Sequence, residues 1–286
     1  MRIGPYASPA MLVARSPEAL APHHRGVFVP TMGALHEGHA SLIRYAKSIA
    51  EGSPVAVSIF VNPTQFNDPR DFARYPRTLD ADLAVCDAAG ATVAFVPSVE
   101  TMYPGGAEAS ADLRPLPAPA TEPGLEDAHR PGHFAGVCRV CRRLFELVRP
   151  AKAVFGEKDW QQLAVIRAMV AGERLPLEIV GRPTIREPDG LAMSSRNARL
   201  TLPARRHAVG VSRAMIEAGR CADPPEAEAA GRRVLLANRL RPEYVAVRDA
   251  ATLGPVRADS PARVLVAAKC GDVRLIDNAP WPGFTL

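Results

Sequence analysis

Short apolar runs alternate with amphipathic helical patterns through the first 180 residues, and this alternation constrains the fold more than any other feature of the chain. The apolar runs are predicted to be buried strands, and they cover residues 26–30, 55–61, 91–96, 153–155 and 178–180. The intervening patterns predict helices at residues 39–51, 80–89, 133–148 and 160–171. Strands separated by helices favour a parallel sheet with crossover helices, so the sequence predicts an α/β fold.

The pattern changes after residue 184, where helices and strands no longer alternate. Two helical segments precede three short strand-like runs, and these five elements cover residues 203–221, 225–238, 244–248, 264–268 and 273–277. We therefore predict two domains, residues 1–184 and a smaller α+β domain of residues 185–286. Residues 103–124 hold five prolines and three glycines and are predicted to form a long surface loop.

The composition is that of an ordinary globular protein. Of the 286 residues, 47% are hydrophobic and 23% are charged, which excludes a wholly disordered or collagen-like chain. No apolar run approaches the ~18 residues of a membrane helix, and the first residues lack the apolar core of a signal peptide. The five cysteines are scattered, which argues against a disulfide framework. We expect a cytoplasmic protein without a membrane partner.

The net charge of +5 comes entirely from the second predicted domain. Residues 1–184 contain 19 basic and 19 acidic residues, whereas residues 185–286 contain 16 and 11. A basic domain suits either nucleic acid or an anionic small molecule. Because its basic residues are not interleaved with aromatic ones, we favour the small molecule and expect no nucleic acid.

The segment from Pro30 to His39 lies where a predicted buried strand gives way to a helix. Ligands of open α/β sheets bind beyond the carboxyl ends of strands, and a helix N-terminus favours phosphate. His36 and His39 are three residues apart, so both imidazoles fall on one side and can stabilise charge on a phosphoryl group. Capping of the helix is the alternative interpretation of both histidines.

Two further clusters follow predicted strands. Asn62 and Gln65 can bind hydroxyl and carboxylate groups, although an Asn-Pro turn alone explains them as well. Lys158 is a compact charge suited to phosphate, with Asp159 and Gln162 close behind it. Ordinary capping of a helix is again the alternative.

Two clusters lie outside the strand ends. The run from Met193 to Asn197 contains Ser194, Ser195 and Arg196, which together make a plausible phosphate clamp, although a solvated loop is the alternative. Arg130 and His133 precede the helix of residues 133–148, where capping alone could account for them.

Two other patterns are interpreted structurally. Cys138 and Cys141 form a CxxC on the apolar face of a predicted helix, so we interpret them as core residues rather than metal ligands. Asp80, Asp82 and Asp87 are interpreted as a solvated helix face, with indirect contact of one of them to Mg²⁺ through phosphates as the alternative.

Six strings in a fixed order identify a family. They read PTMGALHEGHASLI, FVNPTQF with DFARYPRT, RPGHFAGV, FGEKDWQQL, PTIREPDGLAMSSRN and RLIDN. The HxGH element and the Ser-Ser-Arg loop resemble the HxGH nucleotidyltransferase superfamily, and the full set resembles the pantothenate synthetase (pantoate–β-alanine ligase) family over residues 30–278. The chain departs from the family pattern at Asp127, Arg139 and Cys141.

The resemblance implies a fold, a reaction and partners. The fold is a Rossmann-type parallel sheet with helices on both faces, followed by a smaller α+β C-terminal lid domain. The reaction is the ATP-dependent condensation of (R)-pantoate with β-alanine through a pantoyl adenylate, with Mg²⁺, and the enzyme is a homodimer. Two alternatives remain, a nucleotidyltransferase acting on another small substrate and an RNA-binding module on the same fold.

The predicted site residues fall into three groups, and no residue is predicted to bind a metal directly. The catalytic group consists of His36, His39, Lys158, Ser194, Ser195 and Arg196. The ATP-binding group consists of Pro30, Met32, Gly33, Ala34, Leu35, His36, Glu37, Gly38, His39, Gly156, Glu157, Lys158, Asp159, Ile185, Met193, Ser194, Ser195 and Arg196. The group for pantoate and β-alanine consists of Asn62, Gln65, Arg130, His133 and Gln162.

Overall fold

A computed structural model describes residues 11–66, 69–106 and 114–285. Its described residues form nine strands in two sheets. The strands are β1 (Leu12–Ala14), β2 (Val27–Thr31), β3 (Val55–Ile59), β4 (Val93–Phe95), β5 (Lys152–Gly156), β6 (Glu178–Arg182), β7 (Arg241–Asp249), β8 (Ala262–Cys270) and β9 (Val273–Trp281).

The same residues form ten α-helices and five 3₁₀ turns. The helices are α1 (Glu37–Ser48), α2 (Pro69–Ala73), α3 (Leu79–Ala88), α4 (Val99–Met102), α5 (Glu126–His129), α6 (His133–Val148), α7 (Trp160–Gly172), α8 (Leu202–Ala208), α9 (Gly210–Gly219) and α10 (Pro224–Ala237). The 3₁₀ turns are Glu18–His23, Pro63–Gln65, Ala118–Ala120, Glu157–Asp159 and Ser195–Arg199. Within the described ranges, no helix combines the length and apolar character needed to cross a bilayer.

The first six strands form a parallel sheet in the order β1-β4-β3-β2-β5-β6. Strands β2, β3 and β4 proceed in one direction across the sheet, whereas β5 returns to the other side of β2 and β6 continues outward. The order therefore reverses between β2 and β5, and the loops after these two strands diverge there. This arrangement confirms the predicted Rossmann-type sheet and identifies its switch point.

Helices cover both faces of this sheet because its strands are buried on both sides. In β2, Phe28 points into the cluster built around α6 and α7, whereas Val27 and Val29 point into the cluster built around α1. Alternate residues of a strand face opposite sides, so a run of five apolar positions needs cover on both. Cys138 and Cys141 lie buried in the first cluster, as predicted.

The last three strands form an antiparallel sheet in the order β7-β8-β9, against which α9 and α10 pack. The sheet and its helices confirm that the last third of the chain forms a smaller α+β part. The predicted single helix over residues 203–221 is wrong, because Val209 separates α8 from α9. The Val209 carbonyl accepts a hydrogen bond from the Arg213 N–H at 3.2 Å, so helical bonding resumes immediately.

The predicted surface loop over residues 103–124 is partly wrong. Tyr103 and Ala120 are buried in the core of the first part, and Leu116 packs against it. Residues 107–113 lie outside the described residues. The division at residue 184 falls between β6 and the next element of the structure, and it stays a prediction.

Gly136 lets α6 approach the turn at Pro63–Gln65. A Cβ at this position would lie 2.3 Å from the Thr64 carbonyl oxygen. We expect Gly136→Ala to lower the free energy of unfolding by about 1–3 kcal/mol, because either the helix or the turn must move. Thermal or denaturant unfolding measures this change.

Gly172→Ala is the matched control, since Gly172 also lies in a helix but has no atom within 4 Å of the position that a Cβ would take. That variant is expected to be neutral or slightly stabilising, as helix propensity favours alanine. Equal stability of the two variants would contradict the close approach.

Candidate active site

A central cavity opens at the carboxyl ends of β2 and β5, and a second, basic cavity adjoins it. The central cavity has a volume of about 240 Å³, and the basic cavity beside it has a volume of about 530 Å³. The predicted site residues that line the central cavity are Pro30, Met32, His36, Gly38, His39, Asn62, Gln65, Arg130, His133, Gly156, Lys158, Asp159, Gln162, Ile185, Met193, Ser194, Ser195 and Arg196.

The other five predicted site residues lie behind the lining. Gly33, Ala34 and Leu35 form the turn beneath the cavity, Glu37 pairs with Arg44, and Glu157 lies near Arg263. The Glu37 side chain is more than half exposed. Their predicted contact with ATP stays a prediction.

The two histidines of the motif cap the first turn of α1 with their own rings. His36 Nδ1 accepts a hydrogen bond from the Gly38 N–H at 3.1 Å, and His39 Nδ1 accepts one from the His36 N–H at 3.3 Å. A Cβ on Gly38 would lie 2.8 Å from His36 Cε1, which explains the glycine of the motif. Because each Nδ1 accepts, the proton of each neutral ring must lie on Nε2.

The environment keeps both rings neutral. Burial is the main cause that lowers the pKa of His39 to about 3, and the neighbouring His36 adds to it. Burial likewise lowers the pKa of His36, with the Lys158 ammonium as the second cause. Two neutral imidazoles, each a donor at Nε2, therefore line the cavity.

Asp82 holds the turn that precedes these histidines. Its two carboxylate oxygens accept hydrogen bonds from the Ala34 N–H at 3.0 Å and the Leu35 N–H at 2.8 Å. A Cβ on Gly33, whose φ is +83°, would lie 2.9 Å from Asp82 Oδ2. Asp82 is only 2% exposed, so its interpretation as part of a solvated helix face is wrong.

A chain of hydrogen bonds fixes the side-chain amide of Gln65. Asn62 Oδ1 accepts from the Thr64 N–H at 3.2 Å, the Thr64 hydroxyl at 3.0 Å and the Tyr103 hydroxyl at 2.8 Å. Asn62 Nδ2 must therefore donate, and it lies 3.1 Å from Gln65 Oε1. Since Gln65 Oε1 accepts this bond, Gln65 presents its Nε2 donor near Met32 at the cavity wall.

His133 and Arg130 support Gln65 from below. Arg130 Nη1 lies 3.0 Å from His133 Nε2, and because arginine only donates, Nε2 must accept. His133 Nδ1 then donates to the Gln65 carbonyl at 3.0 Å. Burial, followed by the nearby Arg130, lowers the pKa of His133 to about 4 and keeps this ring neutral.

Lys158 lies in the 3₁₀ turn directly after β5, with its Nζ 3.9 Å from Asp159 Oδ2. Asn278 of β9 holds this turn, because its Nδ2 donates to the carbonyl oxygens of Glu157 at 2.8 Å and Lys158 at 2.9 Å. The side chain that orients the Lys158 turn therefore comes from the second sheet.

The Ser194–Arg196 loop is likewise held against the second sheet. Arg186 forms a two-point contact with Asp277 of β9, at 2.6 and 3.1 Å. Ser194 Oγ accepts from the Arg196 N–H at 3.2 Å and starts the turn that presents Arg196. The histidine motif and this loop thus face the same cavity from different parts of the chain.

Glu126 joins the two parts beneath the cavities. Its carboxylate accepts from Arg274 of β9 at 2.6 and 2.7 Å and from the Tyr244 hydroxyl at 2.8 Å. Although burial opposes it, Arg274 holds the pKa of Glu126 down to about 2. Asp127, one of the departures from the family pattern, lies nearby. Its carboxylate accepts hydrogen bonds from the Leu125 N–H at 2.8 Å and from Gln161 Nε2 at 2.8 Å, so the local structure accommodates it.

The sequence interpretation missed Asp82, Tyr103, Glu126 and Asn278, although each contacts a predicted site residue or a segment that carries one. Asn278 ends the RLIDN string, but no local pattern indicates that any of the four contacts the site. Over residues 11–66, 69–106 and 114–285, no group of three or more His, Cys, Asp or Glu side chains is arranged to hold a metal.

Comparisons with known proteins place this geometry in a family. The family model of pantoate-beta-alanine ligase matches residues 11–280. The chain belongs to that family. The pantothenate synthetase of Bacteroides fragilis (strain ATCC 25285) is 47% identical over 260 residues, which cover 88% of this chain and 90% of the relative. The chain is therefore an enzyme of the ligase class that serves pantothenate biosynthesis.

Other members agree in sequence and in structure. The pantothenate synthetase of Mycolicibacterium smegmatis is 47% identical over 277 residues, covering 96% of this chain and 86% of the relative. The crystal structure of pantothenate synthetase from Thermus thermophilus matches with a TM-score of 0.87 at 42% identity, over 95% of this chain and 100% of that one. The pantoate-beta-alanine ligase from Francisella tularensis, complexed with beta-gamma ATP and beta-alanine, matches with a TM-score of 0.76 at 33% identity, over 95% of this chain and 98% of that one.

The lowered pKa values of His36 and His39 predict how these rings respond to pH. A ring whose pKa falls from 6.5 to about 3 stays neutral throughout pH 5–8, whereas an unshifted ring gains a proton below pH 6.5. We expect the ¹⁵N NMR signals of the His39 ring to show a neutral Nε2–H tautomer at pH 5. A midpoint near 6.5, or a proton on Nδ1, would contradict the capping geometry.

Proposed function

We propose that this chain condenses (R)-pantoate with β-alanine in its central cavity, at the expense of ATP and through a pantoyl adenylate. The observation that carries the proposal is that the HxGH motif after β2 and the Ser-Ser-Arg loop line one cavity. The ligand-bound Francisella tularensis relative supports ATP and β-alanine as substrates. Family membership favours the ligase over another nucleotidyltransferase or an RNA-binding module.

In the first step a pantoate carboxylate oxygen attacks the α-phosphorus of ATP. The bond from that phosphorus to the bridging oxygen breaks, and pyrophosphate leaves with the electron pair. Negative charge spreads over the phosphate oxygens, so preorganised donors lower the barrier. We assign this role to His36 and His39 through Nε2–H, to Lys158 and Arg196 through their charges, and to the hydroxyls of Ser194 and Ser195.

The remaining residues position the adenosine and the pantoate. Ile185 lines the cavity and is assigned to the adenine, whereas Met193 is assigned to the phosphate loop with Ser194–Arg196. Gln65 Nε2 and Gln162 are assigned to pantoate, with Asn62, Arg130 and His133 acting by fixing Gln65.

In the second step the neutral amine of β-alanine attacks the acyl carbon of the adenylate. A C–N bond forms, the bond from the acyl carbon to the phosphate oxygen breaks, and AMP leaves with the electron pair while the amine loses its proton to solvent. No protein nucleophile is needed. Positioning of the two reactants supplies much of the rate, since oriented groups reach effective molarities of ~10⁵ M or more.

Mg²⁺ is proposed to enter with ATP. Such an ion is ordinarily held by phosphates, waters and one or two carboxylates. Asp159 fits that donor set, because its half-exposed carboxylate lines both cavities beside Lys158. The ion would neutralise charge on the triphosphate, and Asp159 is the residue assigned to hold it.

We also propose a homodimer, a cytoplasmic location and the two-domain division at residue 184. The edge strand β1 exposes Leu12 and Val13, which suits a subunit contact. The free cysteines, four of them buried, suit a reducing compartment. The antiparallel sheet supplies Asp277, Asn278 and Arg274 to the site region, as a lid domain would.

The decisive measurement is pyrophosphate release from ATP in a single turnover. We expect release to require pantoate and not β-alanine, and we expect free AMP once β-alanine is added. A nucleotidyl-linked product would favour the nucleotidyltransferase instead. Absence of release with pantoate, or with any other carboxylic acid, would overturn the proposal.

His39→Ala is expected to lower turnover by ~10² or more without loss of the fold, because it removes a donor to the reacting phosphate. His39→Gln keeps an N–H donor near the Nε2 position and should recover part of the rate. Circular dichroism and the single-turnover rate check both variants. Wild-type turnover in His39→Ala would remove His39 from the mechanism.

Tyr103→Phe tests the positioning of Gln65. Loss of one of the three hydrogen bonds to Asn62 Oδ1 weakens the fixed orientation of both amides, and one net hydrogen bond is worth about 1 kcal/mol. We expect the KM for pantoate to rise about fivefold while the KM for ATP stays unchanged. Tyr45→Phe is the control, since the Tyr45 ring lies under Arg182 away from Asn62, and equal effects of the two variants would refute the role.

A further inference from the structure

Apart from the wall that it shares with the central cavity, the basic cavity has no role in the proposed mechanism. The two share Arg130, Lys158, Asp159, Ser194 and Arg196 along their common wall. Beyond that wall the basic cavity is lined by cations from two distant segments. These are Arg70 and Arg74 of the α2 region, and Arg199, Lys269 and Arg274 of the second part.

We propose that the basic cavity receives the pyrophosphate product as it leaves the reacting centre. The proposal rests on the proposed function, which supplies the pyrophosphate. It adds a site for a small polyphosphate anion, whose cations beyond the shared wall are not among the predicted ATP residues.

The charge of the lining favours such a ligand. Eight lysine and arginine side chains line the cavity, against the carboxylates of Asp159, Asp272 and Asp277. Asp277 is already held by Arg186, and Asp159 faces Lys158. On the basic side, Arg274 pairs with Glu126 and Glu243, and Lys269 lies 3.5 Å from Glu243. These carboxylates orient the two cations at the wall and leave the lining with an excess of positive charge.

The direction of the reaction favours product over intact ATP. Cleavage at the α-phosphorus turns the bridging oxygen into a terminal, negatively charged oxygen, so pyrophosphate leaves the reacting centre with one more negative charge than the same two phosphates carry in ATP. A concave surface of one sign of charge concentrates a small ion of the opposite sign. Lys158, Ser194 and Arg196 line both cavities, so the same donors can contact the phosphates before and after cleavage.

The size of the cavity fits a hydrated ion. A volume of about 530 Å³ is roughly eighteen times the share of one water in the liquid. Arginine forks suit the bidentate binding of phosphate oxygens, and lysine adds a point charge. Arg74 is exposed, and the Lys269 side chain is nearly half exposed at 46%, so both can be exchanged with little effect on folding.

The test is the double variant Arg74→Gln, Lys269→Gln, titrated with inorganic pyrophosphate in a calorimeter and assayed for product inhibition. We expect pyrophosphate affinity to fall tenfold or more and its inhibition constant to rise equally. The KM for ATP and the single-turnover rate should stay within about twofold. Lys152→Gln is the control, because Lys152 begins β5 at the opposite end of the sheet and pairs with Glu178.

Two outcomes would overturn the proposal. Unchanged pyrophosphate affinity would show that the cavity does not bind the product. An equal loss of affinity for ATP and pyrophosphate would show that these cations hold the tail of the substrate instead. Failure of the proposed function is separate, since it appears as missing pantoate-dependent release in the wild type, whereas the calorimetry needs no turnover.

Discussion

The reversal of strand order between β2 and β5 is the constraint on which the rest of the site depends. Two neighbouring parallel strands end at the same edge, and their following loops must leave in opposite directions. The gap between those loops is the central cavity. The loop after β2 brings the histidine motif, and the turn after β5 brings Lys158, so the topology alone sets the two groups against each other.

Within that gap, the structural role of the motif histidines is compatible with the chemistry proposed for them. The rings of His36 and His39 satisfy backbone N–H groups at the start of α1, which would otherwise lack partners. This capping fixes the tautomer and leaves a donor at Nε2 in each ring. Burial keeps both rings neutral. Because each neutral ring already donates from Nε2, neither has to be protonated before it can act as a donor. The alternative of simple capping and the catalytic interpretation are therefore compatible.

The second part of the chain completes the site through ion pairs and amides that are largely removed from water. Arg186 with Asp277 fixes the Ser194–Arg196 loop, and Arg274 with Glu126 fixes the base of the cavities. Removal of one partner from such a pair leaves a buried charge without compensation, which costs far more than an exposed pair contributes. These two ion pairs therefore hold the two parts of the chain at a fixed distance where they meet beside the cavities.

The fold and the predicted residues that line the central cavity could be inferred because local sequence patterns indicate them. Apolar runs gave the central strands to within a few residues, and the period of residues 133–148 matched α6 at both ends. Strand β1 and helix α2 were missed since three to five residues are too few to show a period. The supporting residues were missed for another reason. Asp82 lies 48 residues from Ala34, and Glu126 lies 148 residues from Arg274, so their roles exist only once the chain has folded.

Asp82 shows most clearly why such a residue escapes a local interpretation. Aspartate is rarely buried unless it is paired, so its place between Leu79 and Cys86 on one helix face does not by itself identify a partner. The helix dipole already favours a carboxylate in this first turn, so its charge needs no further explanation. Only the strand order brings α3 beneath the turn after β2, where two backbone N–H groups and a left-handed glycine leave room for an acceptor alone. The position of the motif histidines therefore depends on a residue whose role its neighbours in sequence do not specify.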